Sequence, residues 1–220
     1  MSDITPLTRQ KMAFRTAHDI PNGWVCNLGI GIPTLVADYL PADREIILHS
    51  ENGLLGMGPA PAKNNIDPWM INAGKQHVTL VPGASLFHHA DSFSMIRGGH
   101  IDLCILGAFE VAHNGDLANW AISAEDSAPA VGGAMDLAVG AGNIWVMTEH
   151  TTKDGKPKLV ERCSYPLTAS SVVKRIYTNL AIIDVSVRGF EVVEMIKDLT
   201  LENLQARTGA RLFVKERING

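Results

Sequence analysis

The chain has 220 residues, 46% of them hydrophobic and 19% charged, and carries a net charge of −4. That composition can fill a packed core and excludes a disordered chain. The acidic balance, with no basic run, gives no sign of binding to nucleic acid or to an anionic membrane surface.

Residues 5–20 read as a helix, with Leu7, Met12, Ala13, Phe14, Ala17 and Ile20 for one apolar side. Pro21-Asn22-Gly23 ends it, and residues 24–28 form a buried strand. Gly29-Ile30-Gly31 turns the chain, and Pro33 suits the first position of a helix running to about residue 40. Residues 45–49 are the next strand. Beyond a glycine- and proline-rich region come a strand at 77–81, a helix at 91–96, and strands at 101–106 and 143–147. Residues 159–162 are expected to pair nearby across the turn Lys153-Asp154-Gly155-Lys156. Strands at 180–185 and 190–193 follow, then a helix from near Thr200 to Gly209 and a short strand at 211–214.

In the first half, continuous apolar strands alternate with turns and helices. This favours an α/β fold with a mostly parallel sheet covered on both faces. No linker divides the chain, so one domain over 1–220 is expected. Neither a membrane-length apolar stretch nor the apolar core of a secretion signal is present. Cys26, Cys104 and Cys163 lack metal-type spacing, and Cys26 and Cys104 lie in apolar runs. They read as free thiols of a cytoplasmic protein.

Ligands on such sheets bind at the carboxyl ends of strands. Two glycine-bearing turns lie there, Gly29-Ile30-Gly31 and Ser50-Glu51-Asn52-Gly53. Glu51 is the chemically informative residue. A carboxylate is ionised at neutral pH, its reference pKa being about 4.3. It can attack a carbonyl without a general base, and nearby backbone amides can hold the oxyanion. Asn52-Gly53 is equally a strong hairpin signal, on which Glu51 merely precedes a tight turn.

Two further readings use the same residues. Strand, Gly29-x-Gly31, helix and an acid about twenty residues on outline a dinucleotide site, but Thr34 stands where the third glycine belongs. A non-catalytic module sensing a phosphorylated metabolite would use the amides from Gly29 to Thr34 as an anion site. His88-His89 with Asp91 does not make a metal site, because adjacent strand side chains diverge and no third ligand is marked. Lys75 alone is a surface charge. Turns at Gly74-Lys75, Arg97-Gly98-Gly99 and Gly132-Gly133 would suit a phosphate-bearing ligand. No nucleophile elbow for a Ser-His-Asp triad is present.

The blocks Asn27-Leu28-Gly29-Ile30-Gly31-Ile32-Pro33-Thr34 and Ser50-Glu51-Asn52-Gly53-Leu54-Leu55-Gly56-Met57-Gly58-Pro59 resemble the two main signatures of family I coenzyme A transferase β subunits. Ile71-Asn72-Ala73-Gly74-Lys75, Ser94-Met95-Ile96-Arg97-Gly98-Gly99-His100, Gly115-Asp116-Leu117-Ala118-Asn119-Trp120, Gly132-Gly133-Ala134-Met135-Asp136-Leu137 and Tyr165-Pro166-Leu167-Thr168 continue the resemblance in family order. It covers nearly the whole chain.

The resemblance implies a three-layer α/β/α fold with an open, mostly parallel Rossmann-like sheet. It also implies a separately encoded α subunit, in a hetero-oligomer of two α and two β subunits. Glu51 then matches the catalytic glutamate, which forms an acyl anhydride and next a CoA thioester. Gly132 and Gly133 match the oxyanion loop, without a choice between them. Asn52 and Gly53 match the turn that aims the glutamate. Asn27 and Lys75 match positions near the active site and the coenzyme, and the Gly29 and Gly31 turn becomes a CoA contact. Coenzyme A esters are substrates here, and no metal or redox cofactor is implied.

Succinyl-CoA is the implied donor. Phe87-His88-His89-Ala90-Asp91-Ser92-Phe93 and Pro129-Ala130-Val131-Gly132-Gly133 resemble the branch acting on 3-oxoadipate. Acetoacetate is the alternative acceptor, but that branch usually has a lysine-bearing stretch where this chain has Ser127-Ala128-Pro129-Ala130. His88 or His89 would serve a dicarboxylate acceptor.

Overall fold

Short apolar runs, several of them closed by glycine turns, form the central strands of the computed structural model, which describes residues 4–122 and 131–214. The elements in chain order are α1 (Arg9–Asp19), β1 (Val25–Leu28), a 3-10 helix (Ile32–Tyr39), β2 (Ile47–Ser50), β3 (Leu54–Met57), β4 (Leu80–Leu86) and α2 (His89–Arg97). Then follow β5 (Leu103–Leu106), β6 (Glu110–Ala112), β7 (Leu117–Ala118), α3 (Ala134–Gly140), β8 (Asn143–Met147) and β9 (Leu159–Val160). β10 (Val173–Tyr177), β11 (Ala181–Ser186), β12 (Gly189–Met195), α4 (Leu201–Gln205) and β13 (Leu212–Val214) complete the described chain. No helix among the described residues is long and apolar enough to cross a membrane.

The first helix starts later than its apolar spacing predicts. Thr8 Oγ1 accepts the Lys11 backbone N–H at 3.3 Å, the geometry of an N-terminal cap. Just before it, the Leu7 amide donates to Asn179 O at 2.8 Å, outside any helix. Within α1, Met12, Ala13, Thr16 and Ala17 are buried.

Cα packing groups the chain into two compact units. One comprises Met1–Met12, Ala108–Val131 and Trp145–Gly220, the other Ala13–Gly107 and Gly132–Ile144. The two interleave along the chain, so no linker between them exists to be read.

The second of these units contains strands in the order β5-β1-β2-β3-β4. β5, β1 and β2 run parallel, with Cys104 beside Asn27 and Asn27 beside His49. This is the parallel core expected from the strand and glycine-turn pattern, and β3 and β4 extend it antiparallel. Successive strand residues face opposite ways. Asn27 and His49 face α2, where Ser92 Oγ lies 2.9 Å from the His49 ring. Leu28 faces the other way, into a cavity of about 120 Å³ shared with Thr34 and Leu35 of the 3-10 helix. Helical layers thus cover both faces, an α/β/α arrangement. The helix expected from Pro33 is a 3-10 helix, opened by the Thr34 amide bonding Gly31 O three residues back.

The other unit holds the strand run β13-β12-β11-β10 and a small β7-β6-β9 sheet. Residues 159–160 do not pair across the Lys153–Lys156 turn as expected. That turn closes on itself at Thr151 and Pro157, and β9 pairs parallel with β6. Its buried His150 is held by Thr178 Oγ1 at 3.0 Å and Thr208 Oγ1 at 2.9 Å. All three cysteines are free, and burial pushes the Cys26 and Cys163 thiols up to about 12.

Burial, aided by Arg207, lowers His150 from 6.5 to about 4. The unfolded chain therefore takes up this proton first. Stability should fall as pH drops from about 6.5 towards 4, by on the order of 3 kcal/mol for a fully buried imidazole. Urea unfolding across that range should show a shallower acid slope for His150→Gln than for the wild type. An unchanged slope would contradict the assignment. His49, lowered to about 4 by burial, adds a slope of the same sign.

Candidate active site

Glu51 is the first residue after β2, in a hairpin whose register pairs Ser50 with Leu54. The Asn-Gly turn and the candidate nucleophile are therefore one structure. The Gly53 amide closes the turn on Ser50 O at 3.0 Å, and the Phe87 amide bonds Gly53 O at 3.0 Å. Gly53 has φ 110°, and a Cβ there would overlap Phe87 O. Only glycine meets both demands. Asn52 points its amide away from the site, donating to Ile71 O at 2.8 Å. Ser50 Oγ accepts the Ala73 N–H at 3.0 Å, on the side of the strand opposite His49.

The Glu51 carboxylate lies against Gly133, where an added Cβ would overlap Oε2 and come within 3.1 Å of the Phe93 ring. Oε2 is buried and has no hydrogen-bond partner among the described residues. Burial raises the Glu51 pKa above its ordinary value; His89 opposes the shift and Asp136 adds to it. A carboxylate stripped of water and hydrogen bonds is a better nucleophile than a solvated one, at the cost of desolvation.

The other residues singled out by sequence take distinct places. Gly132 has φ 54° and open space where a Cβ would stand, so its contribution is backbone conformation; Gly133 contributes room. The Gly29 amide is spent on Ile105 O at 2.8 Å, and a Cβ at Gly29 would press on Ile105 O and Leu106. Gly31, with φ 94°, precedes the 3-10 helix. Lys75 is exposed in a turn with φ 62°, its amide on Asn72 O. Asn27 is only 3% exposed, and its amide nitrogen donates to His49 Nδ1 at 3.1 Å. It supports the site from below. His88 caps α2 through Nδ1, which accepts the Ala90 N–H at 3.1 Å. His89 is the first residue of α2, its ring centroid 4.8 Å from that of Phe93.

Sequence reasoning misses His49, Ser92 and Phe93. The two-residue spacing of His49 and Glu51 is the available signal, since it sets His49 on the strand directly below the turn that carries Glu51. Arg97 and Asp136 are also missed as a pair; they join α2 to α3 at 2.7 Å, with Arg97 5.6 Å from the Phe93 ring centroid. No three His, Cys, Asp or Glu side chains converge as a metal-binding group among the described residues.

An α/β unit that ends a parallel strand in a carboxylate with a buried oxygen, unpartnered among the described residues, beside a glycine loop has features that suit covalent acyl transfer. The chain belongs to the coenzyme A transferase family, whose model, described as Coenzyme A transferase, matches residues 9–206. It is 57% identical to one of the subunits of the 3-oxoadipate CoA-transferase of Acinetobacter baylyi, over 94% of this chain and 95% of that one. It is 58% identical to the subunit of the same name in Pseudomonas putida, over 97% of this chain and all of the other. The rat mitochondrial succinyl-CoA:3-ketoacid coenzyme A transferase 2A is 45% identical, but this chain spans only 40% of it. Among solved structures, the acyl-CoA transferase YdiF of Escherichia coli O157:H7 superposes with TM-score 0.74 at 19% identity, over 97% of this chain and 43% of YdiF. Glutaconate coenzyme A-transferase of Acidaminococcus fermentans gives 0.67 at 18%, over 96% and 88%. At those identities the structures speak for the fold.

Gly133 has φ −80°, which alanine adopts freely, so Gly133→Ala tests space alone. The variant should fold and assemble yet lose CoA transfer by roughly a hundredfold or more, because the methyl displaces Glu51 Oε2. Steady-state exchange beside a thermal melt checks this; full activity would contradict it.

Proposed function

We propose that this chain is the β subunit of a 3-oxoadipate CoA-transferase that moves CoA from succinyl-CoA through a thioester on Glu51. The observation that carries the reading is the buried Glu51 Oε2 against Gly133, unpartnered among the described residues. The Glu51 carboxylate attacks the thioester carbonyl of the donor, giving an acyl–glutamyl anhydride and CoA thiolate. The thiolate attacks the Glu51 carbonyl, forming the enzyme–CoA thioester and releasing the donor acid with one oxygen from Glu51. The acceptor acid reverses both steps, so the kinetics are ping-pong. Anhydride formation is uphill, and binding of the remote nucleotide end of CoA offsets part of that barrier. Every step is carboxylate and thiolate exchange, so the reaction needs no metal or redox cofactor.

A separate α subunit supplies the rest of the site, in a cytoplasmic hetero-oligomer of two α and two β chains. In support, the bacterial relatives are each named as one subunit of their enzyme, and the rat relative is more than twice the length this chain spans. The acceptor is assigned on likeness. Identity is 57–58% to subunits named for 3-oxoadipate and 46% to the Helicobacter pylori J99 subunit named for 3-ketoacids, the alternative acceptor class. The stretch Ser127-Ala128-Pro129-Ala130, which separates the branches by sequence, lies outside the described residues. Of the two candidate acceptor histidines, His88 is engaged as a cap, leaving His89 beside Phe93 to meet a second carboxylate.

The reading is tested by mixing the assembled α–β enzyme with succinyl-CoA and digesting it. A CoA-sized adduct should appear on the Glu51 peptide, be removed by hydroxylamine, and be absent from Glu51→Gln. A label only elsewhere overturns it, and CoA binding without exchange by the complete pair indicates a non-catalytic binding module instead. His89→Ala should lower the preference for 3-oxoadipate over acetoacetate by roughly tenfold, while His88→Ala should not. An unchanged ratio for His89→Ala would remove it from the acceptor pocket.

A further inference from the structure

We propose that His49 is a positioning residue for Glu51, its imidazole tying β1, β2 and α2 together beneath the carboxylate. The inference rests on the reading of Glu51 as nucleophile. Cys104, Asn27 and His49 stand side by side in register on the parallel strands β5, β1 and β2. Their side chains form one continuous line. The Cys104 thiol donates to Asn27 Oδ1 at 3.8 Å. The Asn27 amide nitrogen donates to His49 Nδ1 at 3.1 Å, and His49 Nε2–H donates to Ser92 Oγ at 2.9 Å. That orientation of Asn27 selects the Nε2–H tautomer of His49. The Phe87 ring lies nearly parallel to the imidazole, centroids 6.3 Å apart. Cys104, Asn27, His49 and Ser92 are all buried, so an unmade bond among them would leave a polar group stranded.

The line ends where it matters for the carboxylate. Ser92 is followed by Phe93, whose ring borders the Gly133 space that Glu51 Oε2 fills. One helical turn before Phe93 stands His89, whose imidazole acts electrostatically on the same carboxylate. Glu51 itself is two residues beyond His49, in the turn that closes β2, and its Oε2 enters the same Gly133 space that the Phe93 ring borders. His49 therefore sets how far α2 stands from the β2 hairpin, and with it the wall that Glu51 faces. Its burial keeps the ring neutral through the physiological range, the state in which Nδ1 accepts and Nε2 donates.

The test uses the assembled α–β enzyme with His49→Leu, His49→Gln and Ser92→Ala, and reads single-turnover formation of the Glu51–CoA thioester together with kcat, KM for succinyl-CoA and the melting curve. Leucine should slow thioester formation and kcat by roughly ten- to hundredfold, leaving KM within about twofold. Glutamine, which keeps a donor and an acceptor, should recover most of the rate. Ser92→Ala removes a single hydroxyl and should slow the same step by a few-fold, which keeps the question open to test if His49→Leu does not fold. A leucine or Ser92→Ala variant that forms thioester at the wild-type rate overturns the proposal. So does a loss that glutamine fails to rescue. If the wild type itself carries no CoA on Glu51, the nucleophile reading has failed, an outcome distinct from either.

Discussion

A carboxylate oxygen held out of water, with nothing to bond among the described residues, is the costly feature on which the rest of this site depends. Ionised groups are buried in proteins only where something compensates, and an unmet buried oxygen is the exception that calls for a use. Glu51 is held there by a turn with almost no freedom. Its backbone is pinned at Ser50 and Phe87, its neighbour Asn52 is turned outward onto Ile71, and Gly133 clears the volume that Oε2 occupies. The site stores in its architecture the desolvation that a carboxylate in water would have to undergo at each turnover.

The glycines around it are not interchangeable. Gly53 is needed for a conformation and a close approach at once, Gly132 for conformation, Gly133 for space, and Gly29 for the approach of β5. Beneath them, the polar line from Cys104 to Ser92 crosses three strands and reaches α2. Such a line is stabilising only when each member is satisfied, which makes the floor of the site rigid in a way that an apolar floor of the same size would not be.

The parts of this arrangement legible in the sequence are those written locally. The apolar run before Glu51, the Asn-Gly bend and strand β8 follow from neighbouring residues. The Asn52-Gly53 hairpin signal is borne out by the antiparallel return of β3, although β3 itself is not among the strands read from the sequence. α3 is missed because Gly132-Gly133 looks like a loop, though Gly133 begins a helix. The strands β6, β7 and β10 are short or carry charged residues on exposed positions, which masks their period. His49 and Ser92 are 43 residues apart, and Asn27 and Cys104 are 77 apart. No local pattern couples such pairs; they meet only once the parallel register is set. The role proposed for Glu51 rests on a family resemblance that extends over nearly the whole chain, whereas the difference proposed between His88 and His89 requires the helix cap to be seen.

The most direct test of the account follows oxygen. The assembled enzyme carrying CoA on Glu51 is mixed with an acceptor acid whose carboxylate is labelled with heavy oxygen, and the Glu51 peptide is weighed after one turnover. Passage through an acyl–glutamyl anhydride leaves one labelled oxygen in the Glu51 carboxylate and releases the acceptor as its CoA ester. An acyl-CoA product formed while Glu51 remains unlabelled would contradict the account, because the carboxylate would then never have been bonded to the acyl group.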